Sequence, residues 1–258
     1  MNIKAAFFDI DGTLILRNQI NMSDRTLSAI KHLKDQNIKI IIATGRSSYF
    51  IQPEIKNFIN PDYYITINGQ LITDNTFKPV YKSTLNNQEC KLIVDFCKNN
   101  NIGIGAKLES HIEVYNNFTE FVPYYLHGDL SLSYIIENCE NKNISDNIYG
   151  LFLIGNEETI LQLKHLLKHN ILSYAYQNAF EIFDPNISNA KGIEYVLNQY
   201  NIKPENAISF GDGHNDVNMI TYTKYGVTFH HGHSDIKKVA TYIATDIYDG
   251  LAYYNLVW

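Results

Sequence analysis

The sequence predicts an α/β fold in which a doubly wound parallel sheet is interrupted by an inserted α/β module. Three observations carry this prediction. Short, nearly all-apolar runs at 3–8, 38–43 and 207–210 alternate with amphipathic helical stretches, which is how strands buried on both faces of a parallel sheet read. Each run stops at a polar, turn-forming cluster: Asp9-Ile10-Asp11-Gly12, Thr44-Gly45-Arg46 and Gly211-Asp212-Gly213-His214-Asn215-Asp216. From about Ser83 this rhythm is suspended, and strand pairs of hairpin character replace it without any comparable acidic cluster.

Taken in order, residues 3–8 form the first strand. Residues i and i+2 of an extended chain project the same way, so Asp9 and Asp11 are expected side by side at its end, with Gly12 allowing a sharp turn. Ser23 is placed to N-cap a helix reaching Gln36, with Leu27, Ile30 and Leu33 on one side. A strand at 38–43, a helix at 47–58 and a strand at 63–67 that ends at Asn68-Gly69 complete a strand–helix repeat. The inserted stretch reads as a helix at 86–100, strands at 102–106 and 111–115, and irregular aromatic-rich helical turns to about 140. A strand at 149–154, a helix at 157–169 and strands at 171–176 and 180–183 follow. The first rhythm resumes at Lys191, where Ile193, Val196, Leu197 and Tyr200 recur at i, i+3, i+4 and i+7. A strand at 207–210, a helix from Val217, a strand at 225–229 and a helix at 234–242 close the chain. The expected organisation is a discontinuous core, 1–82 with 188–258, and an inserted α/β domain at 83–187.

The totals exclude some classes of function. A chain of 258 residues buries a sizeable core, and its net charge of −6 argues against nucleic acid or an anionic membrane as the main partner. Three cysteines with no CxxC spacing give no disulfide framework, and Cys90 and Cys97, seven apart, read as core residues of a helix. No stretch approaches the ~20 apolar residues of a membrane span, so the expected location is the cytoplasm. No feature of the sequence bears on oligomeric state.

Four clusters, brought to one sheet edge, supply what phosphoryl transfer needs: Asp9/Asp11, Thr44-Gly45, Lys191 and Asp212/Asn215/Asp216. The C-terminal ends of strands are where an open α/β sheet binds ligands. Mg²⁺ takes a few carboxylates and shares its other positions with water and phosphate oxygen; Asp9, the backbone carbonyl of Asp11 and Asp212 suit it, with Asp216 close behind. Asp9 is the candidate nucleophile and Asp11 the candidate acid and base. Lys191, the Thr44 hydroxyl and nearby backbone N–H groups would meet the charge on the transferring group. The implied partner is a small phosphorylated metabolite.

Phe-Asp-Ile-Asp-Gly-Thr-Leu, Ala-Thr-Gly-Arg, the lysine of Asn-Ala-Lys-Gly and Gly-Asp-Gly-His-Asn-Asp together resemble the four motifs of the haloacid dehalogenase superfamily. The insertion between the second and third motifs is similar to the large cap of its Cof-type branch. The likeness extends to Tyr-Gly-Val before the helix expected at 234–242 and to Asp249-Gly250. It implies a Rossmann-like core, a cap that closes over the site, and Mg²⁺-dependent phosphatase activity through an aspartyl-phosphate. It implies further that Ile10 offers a backbone N–H to phosphate, that Thr44, Gly45, Lys191 and Asn215 contact phosphate, and that Asp212 holds metal with Asp216 in support. The reaction implied is hydrolysis of a sugar phosphate or phosphorylated cofactor. A sugar phosphomutase using the same intermediate, or a non-catalytic binding protein on this scaffold, are the alternatives.

Where relatives commonly carry Met-Gly-Asn-Ala, this chain reads Phe229-His230-His231-Gly232. Adjacent histidines on one short loop rarely reach one ion together, so His230, His231 and His233 are read as a polar loop before a helix. Tyr124, Tyr125 and His127 are read as packing residues ahead of substrate contacts. Arg46 is left outside the site.

Overall fold

The computed structural model describes residues 2–17, 19 and 21–257. Strand β1 (Ala5–Phe8) precedes helix α1 (Asp24–Asp35), whose start is set by Ser23: its hydroxyl accepts the Thr26 N–H at 3.1 Å. After β2 (Lys39–Ala43) the expected helix at 47–58 does not form as one element. Two separate helical stretches take its place, Ser48–Phe50 and a run that Pro53 opens and Ile55–Ile59 completes, and Ile51 between them is extended at φ −76°, ψ 126°. Proline has no N–H for a helical bond and biases the residue before it away from helix. Strand β3 (Tyr63–Thr66) turns through Ile67, Asn68 and Gly69, all at positive φ, into β4 (Leu71–Asp74) and β5 (Pro79–Lys82), a pair the sequence reading did not foresee.

Then come α2 (Asn87–Asn99), β6 (Gly103–Lys107), β7 (Ile112–Asn116), α3 (Phe118–Tyr125), β8 (Ile136–Asn138) and β9 (Gly150–Ile154). Helix α4 (Glu157–Leu161) narrows to a tighter turn at Gln162–His165 rather than running on to His169. The cause lies in Glu89, whose carboxylate accepts the N–H groups of Lys168, His169 and Asn170 at 2.6–3.0 Å and draws that segment off the helix axis. Strands β10 (Ile171–Tyr176) and β11 (Ala179–Phe183) end the insertion. The remaining elements are α5 (Asn189–Gln199), β12 (Ala207–Phe210), α6 (Val217–Tyr222), β13 (Tyr225–Phe229), α7 (Ser234–Val239), β14 (Tyr242–Ala244) and α8 (Ile247–Tyr253). The helix expected at 234–242 therefore stops at Val239, and its last residue, Tyr242, opens the edge strand β14.

The chain divides into two units, Met1–Lys82 with Ile187–Trp258, and Ser83–Asn186. In the first, the strands lie in the order β14-β13-β12-β1-β2-β3-β4-β5, parallel from β14 to β3 and antiparallel thereafter. Alternation along β1 sends Ala6 and Phe8 to one face and Ala5 and Phe7 to the other. The first face packs with Ile30 and Leu33 of α1 and Leu251 of α8; the second packs with Ile193, Val196 and Leu197 of α5 and Met219 of α6. Helices thus cover both faces, as an all-apolar parallel strand requires. Helix α5 reaches its sheet closely because Gly192 has no side chain: a Cβ there would lie 2.5 Å from the Ile65 methyl of β3.

The second unit is a six-stranded sheet, β10-β11-β9-β6-β7-β8, antiparallel except for the β7–β8 pair. Cys90 and Cys97 of α2 are buried free thiols in its core, beside Ile93 and Ile104. Tyr124 stacks on Tyr176 at 5.7 Å, Tyr125 on Phe121 at 5.4 Å, and His127 lies 5.0 Å from the Tyr176 ring. Among the described residues no helix is long and apolar enough to cross a membrane.

Candidate active site

Strand register decides what meets at the sheet's C-terminal edge. Phe8 of β1 pairs with Phe210 of β12 on one side and Ile42 of β2 on the other. The Phe8 and Phe210 rings stack at 5.0 Å, and the Asp9 N–H donates to the Phe210 carbonyl at 3.0 Å. All three strands therefore end level, and Asp9, Thr44 and Asp212 each leave the sheet within two residues of that line. From β1 the sheet builds outward through β2 on one side and through β12 on the other, so the edge is a topological switch point.

Three carboxylates meet there. Oxygen atoms of Asp9, Asp212 and Asp216 lie within 4.8 Å of one another, and the residues are 4%, 1% and 0% exposed. Asp216 turns back from the following loop, where its Oδ2 accepts the N–H groups of Asp212 at 3.2 Å and Gly213 at 3.0 Å. Its Oδ1 is buried without a hydrogen-bond partner among the described residues. Burial drives the Asp9 carboxyl well above the usual carboxylate range, and the charges of Asp216, Asp11 and Asp212 push the same way against the Ile10 N–H. Burial likewise lifts Asp216 to about 7, against the Gly213 N–H. Asp212 is raised by burial too, opposed by the Arg17 guanidinium 3.1 Å from its Oδ2.

Such a trio is unfavourable unless it holds protons or a cation. Its donors are all carboxylate oxygens, the set a hard ion takes, and one is an orphan. A six-coordinate Mg²⁺ with bonds of about 2.0–2.1 Å spaces its ligands roughly 3 to 4 Å apart, so small side-chain rotations would close these oxygens on one ion. The residues fit a divalent cation.

Gly12 is what allows the approach. It sits at φ +84°, and a Cβ there would lie 2.3 Å from Asp212 Oδ2. The carbonyl of the same residue is 2.7 Å from His231 Nε2, and the His231 ring stacks on Phe229 at 5.2 Å.

Other expected site residues have partners of their own. Asp11 is near enough for its charge to act on Asp9, though it is not one of the three acids that lie within 4.8 Å of one another. Its half-exposed carboxylate instead takes a two-pronged bond from Arg46, Nε at 2.7 Å and Nη2 at 2.6 Å, while Arg46 Nη1 holds the Phe50 carbonyl at 3.0 Å. Thr44 is buried, and its Oγ1 accepts the Arg46 N–H at 3.2 Å. Gly45 faces Asn68, whose Oδ1 would be 3.1 Å from a Cβ at that position. Lys191 lies in the first turn of α5 with its Nζ on Glu194, 3.0 Å away, and is largely exposed. Asn215 is exposed on the turn between Asp212 and Asp216.

Arg17, Arg46 and His231 are the contacts that sequence reasoning did not find. Arg46 directly follows the Thr44-Gly45 cluster, and that adjacency was a signal. Nothing local to Arg17 marks it, and His231, singled out with its neighbours as a polar loop, has its partner 219 residues away.

The family described as haloacid dehalogenase-like hydrolase matches residues 6–254. A protein of Buchnera aphidicola subsp. Baizongia pistaciae that carries a provisional phosphatase name is 30% identical over 239 residues, 89% of this chain and 87% of that one. The 5-amino-6-(5-phospho-D-ribitylamino)uracil phosphatase YcsE of Bacillus subtilis is 25% identical over 98% of this chain and 94% of its own. Among solved structures, the HAD subclass IIB sugar phosphatase BT4131 superposes with a TM-score of 0.86 at 26% identity, covering 98% of this chain and 100% of that one.

Proposed function

From the premise that this chain belongs to the haloacid dehalogenase-like hydrolases, as a phosphatase, we propose that it hydrolyses small organic phosphate monoesters with Mg²⁺ through an aspartyl-phosphate on Asp9. The observation that carries the reading is the buried trio Asp9, Asp212 and Asp216 at the switch point of the sheet. Asp9, the Asp11 backbone carbonyl and Asp212 would hold Mg²⁺, with Asp216 behind them. When bound, the ion neutralises the clustered carboxylates and the charge of the incoming phosphoryl group.

The chain's own residues then divide the work. An Asp9 carboxylate oxygen attacks phosphorus, the ester P–O bond breaks, and the Asp11 carboxyl delivers a proton to the departing oxygen. The Asp11 carboxylate then takes a proton from water as that water's oxygen attacks the phosphorus of the aspartyl-phosphate, freeing phosphate and Asp9. The Ile10 and Gly45 N–H groups, the Thr44 hydroxyl, the Asn215 amide and the Lys191 ammonium would bind the phosphoryl oxygens. For this Asp11 must release Arg46, and Lys191 must release Glu194. The Lys191–Glu194 pair is exposed and costs little to break, whereas the two-pronged Arg46–Asp11 pair, with Arg46 30% exposed, costs more. The relatives' names, one for a ribitylaminouracil phosphate and one for a sugar phosphate, support a small polyhydroxylated ester as the substrate class.

The test is turnover of p-nitrophenyl phosphate and a panel of sugar and nucleotide-precursor phosphates. Activity should vanish on chelation and return with Mg²⁺, and Asp9→Asn should abolish it. Activity that survives in Asp9→Asn would remove that residue from the nucleophilic role.

A further inference from the structure

Beside the buried trio, two loops bring a second and chemically different set of side chains together. His214 belongs to the turn after β12, and His233 precedes α7. Both direct Nδ1 at one oxygen of Asp235: His214 lies 3.4 Å and His233 3.6 Å from Asp235 Oδ2. Ligand atoms of all three residues lie within 4.8 Å of one another, and the two imidazoles stand nearly perpendicular at 5.6 Å. The histidines the sequence singled out, His230, His231 and His233, do not converge; His233 meets a histidine from a different loop.

We propose that His214, His233 and Asp235 form a binding site for a zinc-class divalent cation, separate from the oxygen-only trio. A tetrahedral Zn²⁺ with bonds of about 2.0–2.1 Å to nitrogen and oxygen spaces its ligands roughly 3.3–3.5 Å apart, close to the two spacings seen here. Two imidazoles and a carboxylate select zinc, cobalt, nickel or copper, whereas Mg²⁺ takes oxygen donors. The side chains are 75%, 50% and 40% exposed, so an ion can enter and water can complete its shell. Lys238 Nζ holds Asp235 Oδ1 at 2.7 Å and leaves Oδ2 to the ion. The one contact to be displaced is the bond from the Asp235 N–H to His233 Nδ1, which at 3.3 Å is long.

The site also has a mechanical consequence. The His233 N–H donates to the Asp212 carbonyl at 2.9 Å, and His214 stands between Asp212 and Asp216 in the chain. An ion held by both histidines would fasten the turn that carries those acids to the start of α7. In the inserted domain His111, Glu113 and Glu137 also lie within 4.8 Å, but that cluster offers one imidazole and two carboxylates where the proposed site has two imidazoles. That cluster serves as a control.

The experiment is calorimetric titration of the full chain with Zn²⁺ under saturating Mg²⁺, with Co²⁺ absorption as a report on geometry. One Zn²⁺ per chain is expected, with the intense visible bands of four-coordinate Co²⁺. His214→Ala, His233→Ala and Asp235→Asn should each weaken Zn²⁺ binding by more than about 10-fold, while His111→Ala leaves it unchanged. His214 is mostly solvent-exposed, so its truncation leaves packing intact, and circular dichroism verifies the fold of each variant. Asp9→Asn should keep the Zn²⁺ site whether or not the phosphatase reading holds. The proposal is overturned by Zn²⁺ binding that persists in the His214→Ala/His233→Ala double variant, by displacement of Zn²⁺ with rising Mg²⁺, or by no binding at all.

Discussion

Replacing Gly12 with alanine tests whether Asp212 works where the structure puts it. The new methyl would start 2.3 Å from Asp212 Oδ2 and 2.5 Å from its Cγ, in a residue held at φ +84°. Relief to ordinary contact requires the carboxylate or the loop to shift by about 1 Å, since carbon and oxygen settle roughly 3.4 Å apart. The backbone adds about 1–2 kcal/mol for an L-residue in the left-handed region. Overpacking against a buried carboxylate adds about 1–3 kcal/mol if nothing yields. Because Asp212 can swing, the displacement should fall mainly on it, and the fold should survive with a Tm lower by about 2–8 °C. A misplacement of that size in a reacting constellation costs on the order of 100-fold in rate. Thermal unfolding and kcat/KM over a Mg²⁺ titration measure the two effects together, and the Mg²⁺ requirement should move to higher concentration. A Gly12→Ala protein with the wild-type Mg²⁺ dependence would refute the reasoning, because Asp212 would then be free of the position that Gly12 guards.

Other consequences can be measured directly. Asp216, lifted to about 7, and Asp9, raised well above the carboxylate range, hold protons in the metal-free fold at pH values where the unfolded chain has lost them. The stability of the metal-free protein should therefore fall as pH rises from about 4 to about 7, while Mg²⁺ affinity rises across the same window. Calorimetry in two buffers of different ionisation enthalpy should show proton release on Mg²⁺ binding below about pH 7, and a buffer-independent heat would contradict it. Arg17→Ala removes a cation that competes for Asp212 Oδ2; its guanidinium is 74% exposed, so Mg²⁺ affinity should rise by no more than about 5-fold, read from the same titration. Arg46→Ala removes the partner that Asp11 must release before it can act, so kcat should hold or rise, read from steady-state turnover; a fall of about 10-fold or more would show instead that the pair positions Asp11.

How much of this was legible in the sequence depended on the range of the interactions. The strands at 5–8, 39–43 and 207–210 announced themselves because burial on both faces demands unbroken apolar residues, and the polar clusters after them marked where they stop. Elements governed by a competing contact were misread. The helix expected at 47–58 yielded to Pro53, and the helix at 157–169 yielded to Glu89, a side chain nearly 80 residues upstream that takes three backbone N–H groups for itself. Strands β4 and β5 are as long as β1 but hold only Leu71-Ile72 and Val80-Tyr81 as adjacent apolar pairs, and β5 is only half buried, so neither reads as an unbroken apolar run. In the site, the acids were legible by type and spacing, but their partners were not. Asp11 acts on Asp9 by charge, and its carboxylate is taken by Arg46, 35 residues away, a pairing that no strand pattern announces.

The positions of the cations follow from the same electrostatics. Three carboxylates buried within 4.8 Å of one another leave the fold short of positive charge at one point. Among the described residues the arginine that reaches them, Arg17, does so from an exposed position, where its ion pair is screened and readily exchanged. Arg46 and Lys191 are each held on a different acid, outside the trio. A buried, well-packed arginine or lysine in their place would have neutralised the trio permanently and closed it to any ion. Because the compensating charges are exposed or engaged elsewhere, the edge of the sheet keeps a deficit that an exchangeable divalent cation can fill, and a phosphate ester could then approach without meeting bare carboxylates.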